Sequence, residues 1–215
     1  MSNREETGKF RMKQVVKLAA GLIGALVAVS ACQVEEKKDD APESAANVSA
    51  DSDTTAASRA AFAATYKVFM HPRCMNCHPA GDAPLQGEDS RIHAQNVKRG
   101  PDGKGLYALK CANCHQHENV PGKNMPPGNP NWHLPPAGMP MVFEGKSPRE
   151  LAIQLKDPKR NGGKSLDELL HHVESDPLVL GGWNPGDGRA KPPMSHEDFA
   201  AKFREWIETG AVEPE

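Results

Sequence analysis

Apolar residues recur at helical spacing in several stretches of the chain. Over residues 58–70, SRAAFAATYKVFM, the side chains of Ala61, Phe62, Tyr66 and Phe69 fall on one face, and the run leads straight into Cys74. The shorter GKGLYALK, residues 103–110, is expected to lead into Cys111 in a similar way. Three later helices carry start signals: Ser147 with Glu150 and Pro148 in the first turn, Ser165 with Glu168, and Ser195 with Asp198. The last of these, SHEDFAAKFREWIETG, sets Phe199, Phe203, Trp206 and Ile207 on one stripe and is expected to stop at Gly210. A different pattern stands at the start, where the run from Leu18 to Ala31 is apolar throughout and uncharged.

That run is 14 residues long and follows Arg4, Lys9, Arg11, Lys13 and Lys17, the layout of an export signal. It falls short of the roughly 20 residues that a membrane-spanning helix needs. It ends in Val29-Ser30-Ala31-Cys32, which resembles the lipobox of bacterial lipoproteins, in which the cysteine is acylated and opens the mature chain. An ordinary cleaved signal followed by an incidental cysteine is the alternative. Acylation at Cys32 also accounts for the odd cysteine, because the other four fall into two pairs. The segment 32–57 is rich in Ala, Ser and Asp and has no aromatic residue, so a flexible acidic tether is expected there. The domain expectation is therefore a lipoprotein signal over 1–31, the tether over 32–57 and one folded body over 58–215. Periplasmic, lipid-anchored placement on a bacterial membrane follows from the first two.

Charge excludes one class of partner. The chain carries a formal net charge of −2, residues 33–60 alone hold seven acidic and three basic side chains, and the body is left close to neutral. That balance argues against nucleic acid. With 38% hydrophobic and 5% aromatic residues against 19 Gly and 19 Pro, the body is expected to fill part of its core with something other than side chains.

The candidate for that role comes from two short motifs, Cys74-Met-Asn-Cys77-His78 and Cys111-Ala-Asn-Cys114-His115. Two thiols one helical turn apart reach the two vinyl groups of a porphyrin, and the adjacent histidine is then aimed at the iron. Covalently attached haem c, one per motif, is the cofactor this spacing implies. A zinc ribbon also uses paired Cys-x-x-Cys, but at about 15–20 residues and with no histidine behind each pair. A thioredoxin-like redox pair belongs in a strand–helix unit that the pattern lacks. A Cys-x-x-Cys disulfide closes too small a loop to constrain the chain much.

The second axial ligands are less determined. Between His78 and Cys111 the sole His or Met is His93, which makes it the candidate distal ligand for a locally closed first haem, with a loop capping role as the alternative. For the second haem, Met139 in PPAGMPMVF is the candidate opposite His115, with Met125, Met141 and His133 as rivals. His117 and His71 stand too close to their own motifs to reach round the same haem, though either is free to serve the other. His171 and His172 point about 100° apart on one helix, so at most one faces inward. Trp132, Trp183 and Trp206 read as core or haem-edge packing.

The whole pattern gives a mostly α fold: helices packed around two covalently bound haems, with long Pro/Gly-rich loops. A terminal amphipathic helix on the helix before the first motif resembles class I cytochromes c, and Gly138-Met139-Pro140 resembles the loop that presents the methionine ligand there. The run HPRCMNCHPAGDAPLQGEDSRIHAQNVKRGPDGKGLYALKCANCHQ, with NWHLPP and LKDPKRNGG, resembles small exported proteobacterial proteins labelled as a subunit of isoquinoline 1-oxidoreductase or as mono/dihaem cytochromes c. That resemblance implies electron transfer, with a molybdenum hydroxylase as donor. The chain is not expected to be the hydroxylase itself, whose two iron–sulfur clusters need eight cysteines. A small dihaem peroxidase and a haem-based gas-binding sensor are the alternative functions.

Overall fold

The structure is a computed structural model that describes residues 43–215. The expected signal, Cys32 and residues 32–42 of the expected tether lie outside the described residues. The elements run in the order α1 (Glu43–Phe69), α2 (Pro72–Met75), β1 (Leu85–Gln86), β2 (Arg91–Ile92), β3 (Gly105–Leu106), β4 (Leu109–Lys110), α3 (Pro148–Lys156), α4 (Leu166–Ser175), α5 (Pro177–Gly181) and α6 (His196–Glu208), with one 3-10 turn at Cys111–Asn113. The fold is mostly helical, and the run 114–147 contains neither helix nor strand.

The amphipathic stripes read from the sequence build the core. Ala61, Phe62, Val68 and Phe69 of α1 are buried against Phe199, Phe203 and Trp206 of α6, and α3 and α4 add Leu151, Leu155, Leu169 and Val173. Phe62 stands 4.9 Å from Trp206, and Phe69 meets Phe199 and Phe203 edge-on at 5.4 and 5.9 Å between ring centres. The expected packing of the terminal helix on the helix before the first motif is thus present. One buried hydroxyl locks the joint: Ser58 donates to the Trp206 carbonyl at 3.1 Å and accepts from the Val212 N–H at 3.0 Å.

The three expected starts carry their caps. Ser147 and Ser165 each form a reciprocal pair with Glu150 and Glu168, and the Ser195 side chain accepts from the Asp198 N–H. Two short helices escaped the sequence reading. Asp176 caps α5, and the His71 ring caps α2 by accepting from the Arg73 N–H, so the first motif starts on a fixed turn.

Two expectations are corrected. Residues 43–57, expected as part of a flexible tether, form the first half of α1. Residues 51–54 and 56 are exposed, so packing does not hold them; an Ala-rich run extends a helix whose nucleus is already fixed by its buried end. The stretch GKGLYALK is not a helix but the β3–β4 hairpin, with Gly105 paired to Lys110 and Leu106 to Leu109. The cause is local. Gly103, Gly105 and Tyr107 all have positive φ, and a Cβ on Gly105 would lie 2.3 Å from the Leu109 carbonyl oxygen.

Candidate functional site

Both Cys-x-x-Cys-His motifs form single helical turns. In the first, Cys77 N–H donates to the Cys74 carbonyl at 3.1 Å and His78 N–H to the Met75 carbonyl at 3.0 Å. In the second, the Cys111 carbonyl accepts from the N–H groups of Cys114 at 3.1 Å and His115 at 2.9 Å. The cysteines of each pair therefore sit one turn apart, as the sequence spacing requires. Among the described residues all four thiols are free of disulfides, and no three His, Cys, Asp or Glu side chains gather as a metal cage.

The two histidines are held in the same way by unrelated segments. His78 Nδ1 lies 2.7 Å from the Met141 carbonyl oxygen, and His115 Nδ1 lies 2.7 Å from that of Pro127. A carbonyl only accepts, so in both rings Nδ1 carries the proton and Nε2 keeps its lone pair. Each ring is also clamped flat against an aromatic neighbour. His78 stacks on Phe143 at 3.8 Å and 9° between planes, and His115 stacks on Trp132 at 3.9 Å and 7°. The His78 carbonyl further accepts from the Phe143 and Glu144 N–H groups at 2.9 and 3.2 Å.

Burial sets the charge state of both sites. It pushes the His78 pKa down to about 4, with the Met141 hydrogen bond opposing and the charges of His172 and Arg99 assisting. Burial likewise lowers that of His115, opposed by the bond to Pro127 and assisted by His93 and Arg189. Both rings are neutral at pH 7, the form that binds metals. The thiols of the first motif are pushed up, Cys74 to about 12 and Cys77 to about 11, mainly by burial.

Arg99 ties the surroundings of the first motif together, and the sequence held no signal for it. It is 2% exposed, and its guanidinium donates to the carbonyls of Pro135, Pro79 and Gly81 at 2.7, 3.3 and 3.1 Å, with Pro140 at 3.5 Å. The segment after His78 is thereby fastened to the Pro-rich loop that carries Met139 and Met141.

The two candidate distal ligands stand in different surroundings. The ring of His93, the candidate for the first haem, stands 6.5 Å from that of His115, the histidine of the second motif. The β1–β2 hairpin directs it there: Leu85 pairs with Ile92, and the His93 N–H donates to the Pro84 carbonyl at 3.0 Å. Its Nδ1 is buried without a hydrogen-bond partner. A side-chain hydrogen bond with Gln95 favours the charged ring, yet burial dominates and lowers the pKa. Met139 is half-buried in a turn closed by its N–H on Pro136, and the next residues, Pro140 and Met141, bond to Arg99 and His78. Its loop is thus pinned beside the first motif.

The other histidines have occupations of their own. His71 caps α2, His133 Nδ1 lies 2.6 Å from the Asn131 carbonyl, and His196 Nε2 lies 2.8 Å from that of Val173. His172 is half-buried with Nδ1 3.0 Å from Asp176, whereas His171 and His117 are exposed. Met125 is exposed. On the outer side of His115 an open cleft of about 360 Å³ is lined by Lys104, Lys110, His117, Asn131 and Trp132, among others. Comparison of the chain with family models, curated proteins and solved structures finds no match.

Proposed function

We propose that this protein is a dihaem c-type cytochrome that transfers electrons in the bacterial cell envelope. Cys74 and Cys77 would hold one haem c through thioether bonds and Cys111 and Cys114 the other, with His78 and His115 as the proximal iron ligands. One observation carries the reading: two separate Cys-x-x-Cys-His turns each present a neutral imidazole with Nδ1 bonded to a backbone carbonyl and Nε2 free. A hydrogen bond at the far nitrogen is what orients and strengthens a metal-binding histidine. Sequence spacing alone does not require it.

Haem c supplies a reversible ferric/ferrous couple, whose potential the axial ligands and burial tune. The chain's part is to hold each imidazole in one tautomer and one plane, to keep water from its inner face, and to set the two centres beside one another. The Met141 and Pro127 carbonyls set the tautomer, and the stacking of Phe143 and Trp132 sets the plane. The β1–β2 hairpin, bonded to Asn76 of the first motif and bringing His93 to 6.5 Å from His115 of the second, supports closeness of the two centres, which a relay needs. The donor would be a molybdenum hydroxylase, as the family resemblance implies, and acylation of Cys32 would hold the protein to the membrane on its periplasmic side. No helix among the described residues is long and apolar enough to cross a membrane.

The test is a pyridine haemochrome assay with intact mass, on protein matured in a strain that attaches haem c. Two haems per chain are expected. A mature chain that weighs no more than its amino acids and lipid overturns the reading, and peroxide turnover would move it from carrier to peroxidase.

A further inference from the structure

The unexplained feature of the fold is His93, a half-buried ring 6.5 Å from the histidine of the second motif. We infer that His93 and His115 are the two axial ligands of one haem iron, so that the loop after the first motif completes the second centre. This inference rests on the dihaem reading.

Three observations lead to it. Two imidazoles on opposite sides of one metal, each bound at about 2 Å, have ring centres roughly 6 Å apart. The His93 and His115 rings are 6.5 Å apart, in a protein fold whose backbone already sets both. Next, His93 is the histidine with a buried nitrogen lacking a partner among the described residues, a cost of about 1–3 kcal/mol that a native fold keeps only for a purpose. Finally, His115 donates through Nδ1 to Pro127, so its lone pair at Nε2 is the group left for a metal.

The attachments of Met139 lie elsewhere. Met139 lies in a loop that Arg99 and His78 bind to the first motif. The second centre is then bis-histidine, and its potential lies below that of a His/Met pair, because a methionine ligand raises the potential. The arrangement also interlocks the centres. The β1–β2 hairpin, which begins where Leu85 N–H bonds the Asn76 carbonyl inside the first motif, carries the ligand of the second.

The experiment uses the full-length holoprotein and reads ligation, not activity. In His93→Ala, both haems stay attached, and one of the two changes from low-spin to high-spin in ferric absorption and electron paramagnetic resonance spectra. Added imidazole restores the low-spin form. In a Cys74→Ala/Cys77→Ala chain, which keeps only the second haem, His93→Ala converts the entire signal. His93→Met retains a ligating side chain and raises one of the two potentials, which keeps the inference testable if the alanine variant folds poorly. Two low-spin haems in His93→Ala, or a spin change that disappears in the chain lacking the first haem, overturns the inference and leaves the dihaem reading standing. Wild-type protein without haem overturns both.

Discussion

Phe143 is the residue through which the helical core reaches the first motif, and its replacement by leucine tests whether the two are mechanically one. The ring is 5% exposed, stacks on His78 at 3.8 Å, and meets Phe69 of α1 edge-on at 5.3 Å and 62°. Leucine keeps most of the volume, so the packing loss stays under about 1.5 kcal/mol. Each lost aromatic contact adds about 0.5–1.5 kcal/mol, which brings Phe143→Leu to about 2–3 kcal/mol. For a chain of this size that is a fall in Tm of roughly 5–10 °C, measured by far-ultraviolet circular dichroism with urea unfolding as a check. A double-mutant cycle with Phe69→Leu separates the two contacts and is expected to give a coupling of about 0.5–1.5 kcal/mol, the remainder belonging to His78. A cost for Phe143→Leu below about 0.5 kcal/mol, or no coupling to Phe69, would refute the claim that this ring bridges core and site.

Other perturbations test separate parts of the structure. Arg99→Lys, which keeps the charge but loses the fork that serves Pro135, Pro79 and Gly81, is expected to destabilise by about 3 kcal/mol in urea unfolding, and a change under about 1 kcal/mol would refute the fastening role. Ser165→Ala removes the acceptor for Glu168 N–H and is expected to cost about 1 kcal/mol, read from the same curves. The carboxyl groups of Glu150 and Glu168 titrate below the ordinary glutamate value of 4.5, because the backbone N–H groups of Ser147 and Ser165 favour their charged forms. A pKa lower in the folded than in the unfolded chain means that this stability is present above 4.5 and is lost as the pH falls through the folded values. The Glu150→Gln/Glu168→Gln variant is therefore expected to lose less stability between neutral and acid pH than the parent, by urea midpoints taken across that range.

What was legible in the sequence was whatever depends on one segment at a time. The stripe Phe199, Phe203, Trp206 needs only a period of 3.6 residues, and the capping pairs at Ser147 and Ser165 need only a spacing of three, so α3, α4 and α6 were found with their starts. The Cys-x-x-Cys-His turns are local in the same sense. Errors arose where a local rule met a competing cause. GKGLYALK has helix-like apolar spacing, but positive φ at Gly103, Gly105 and Tyr107 commits it to a hairpin. Residues 43–57 have a tether's composition, yet Ala-rich chain attached to a packed helix gains a hydrogen bond for each residue it orders.

The placement of His93 was beyond reach for a deeper reason. Separation along the chain limits how far a side chain travels but not in which direction, so His93 was assigned to the motif that precedes it. Direction comes from the β1–β2 register, which sets Leu85 opposite Ile92 and brings His93 back beside Pro84, facing His115. The same logic applies to the partners of the two motif histidines. Pro127 and Met141 contribute backbone carbonyls, which every residue owns, and so no residue identity announces them. Trp132 and Phe143 were readable as apolar but not as plates for an imidazole. The run 114–147, without a helix or strand of its own, supplies both carbonyls and both aromatic plates. It is ordered by what it binds, Arg99 and the two histidines, and not by any period in its sequence. A site assembled from such a segment is written in tertiary contacts, and only its two cysteine turns are written in the chain.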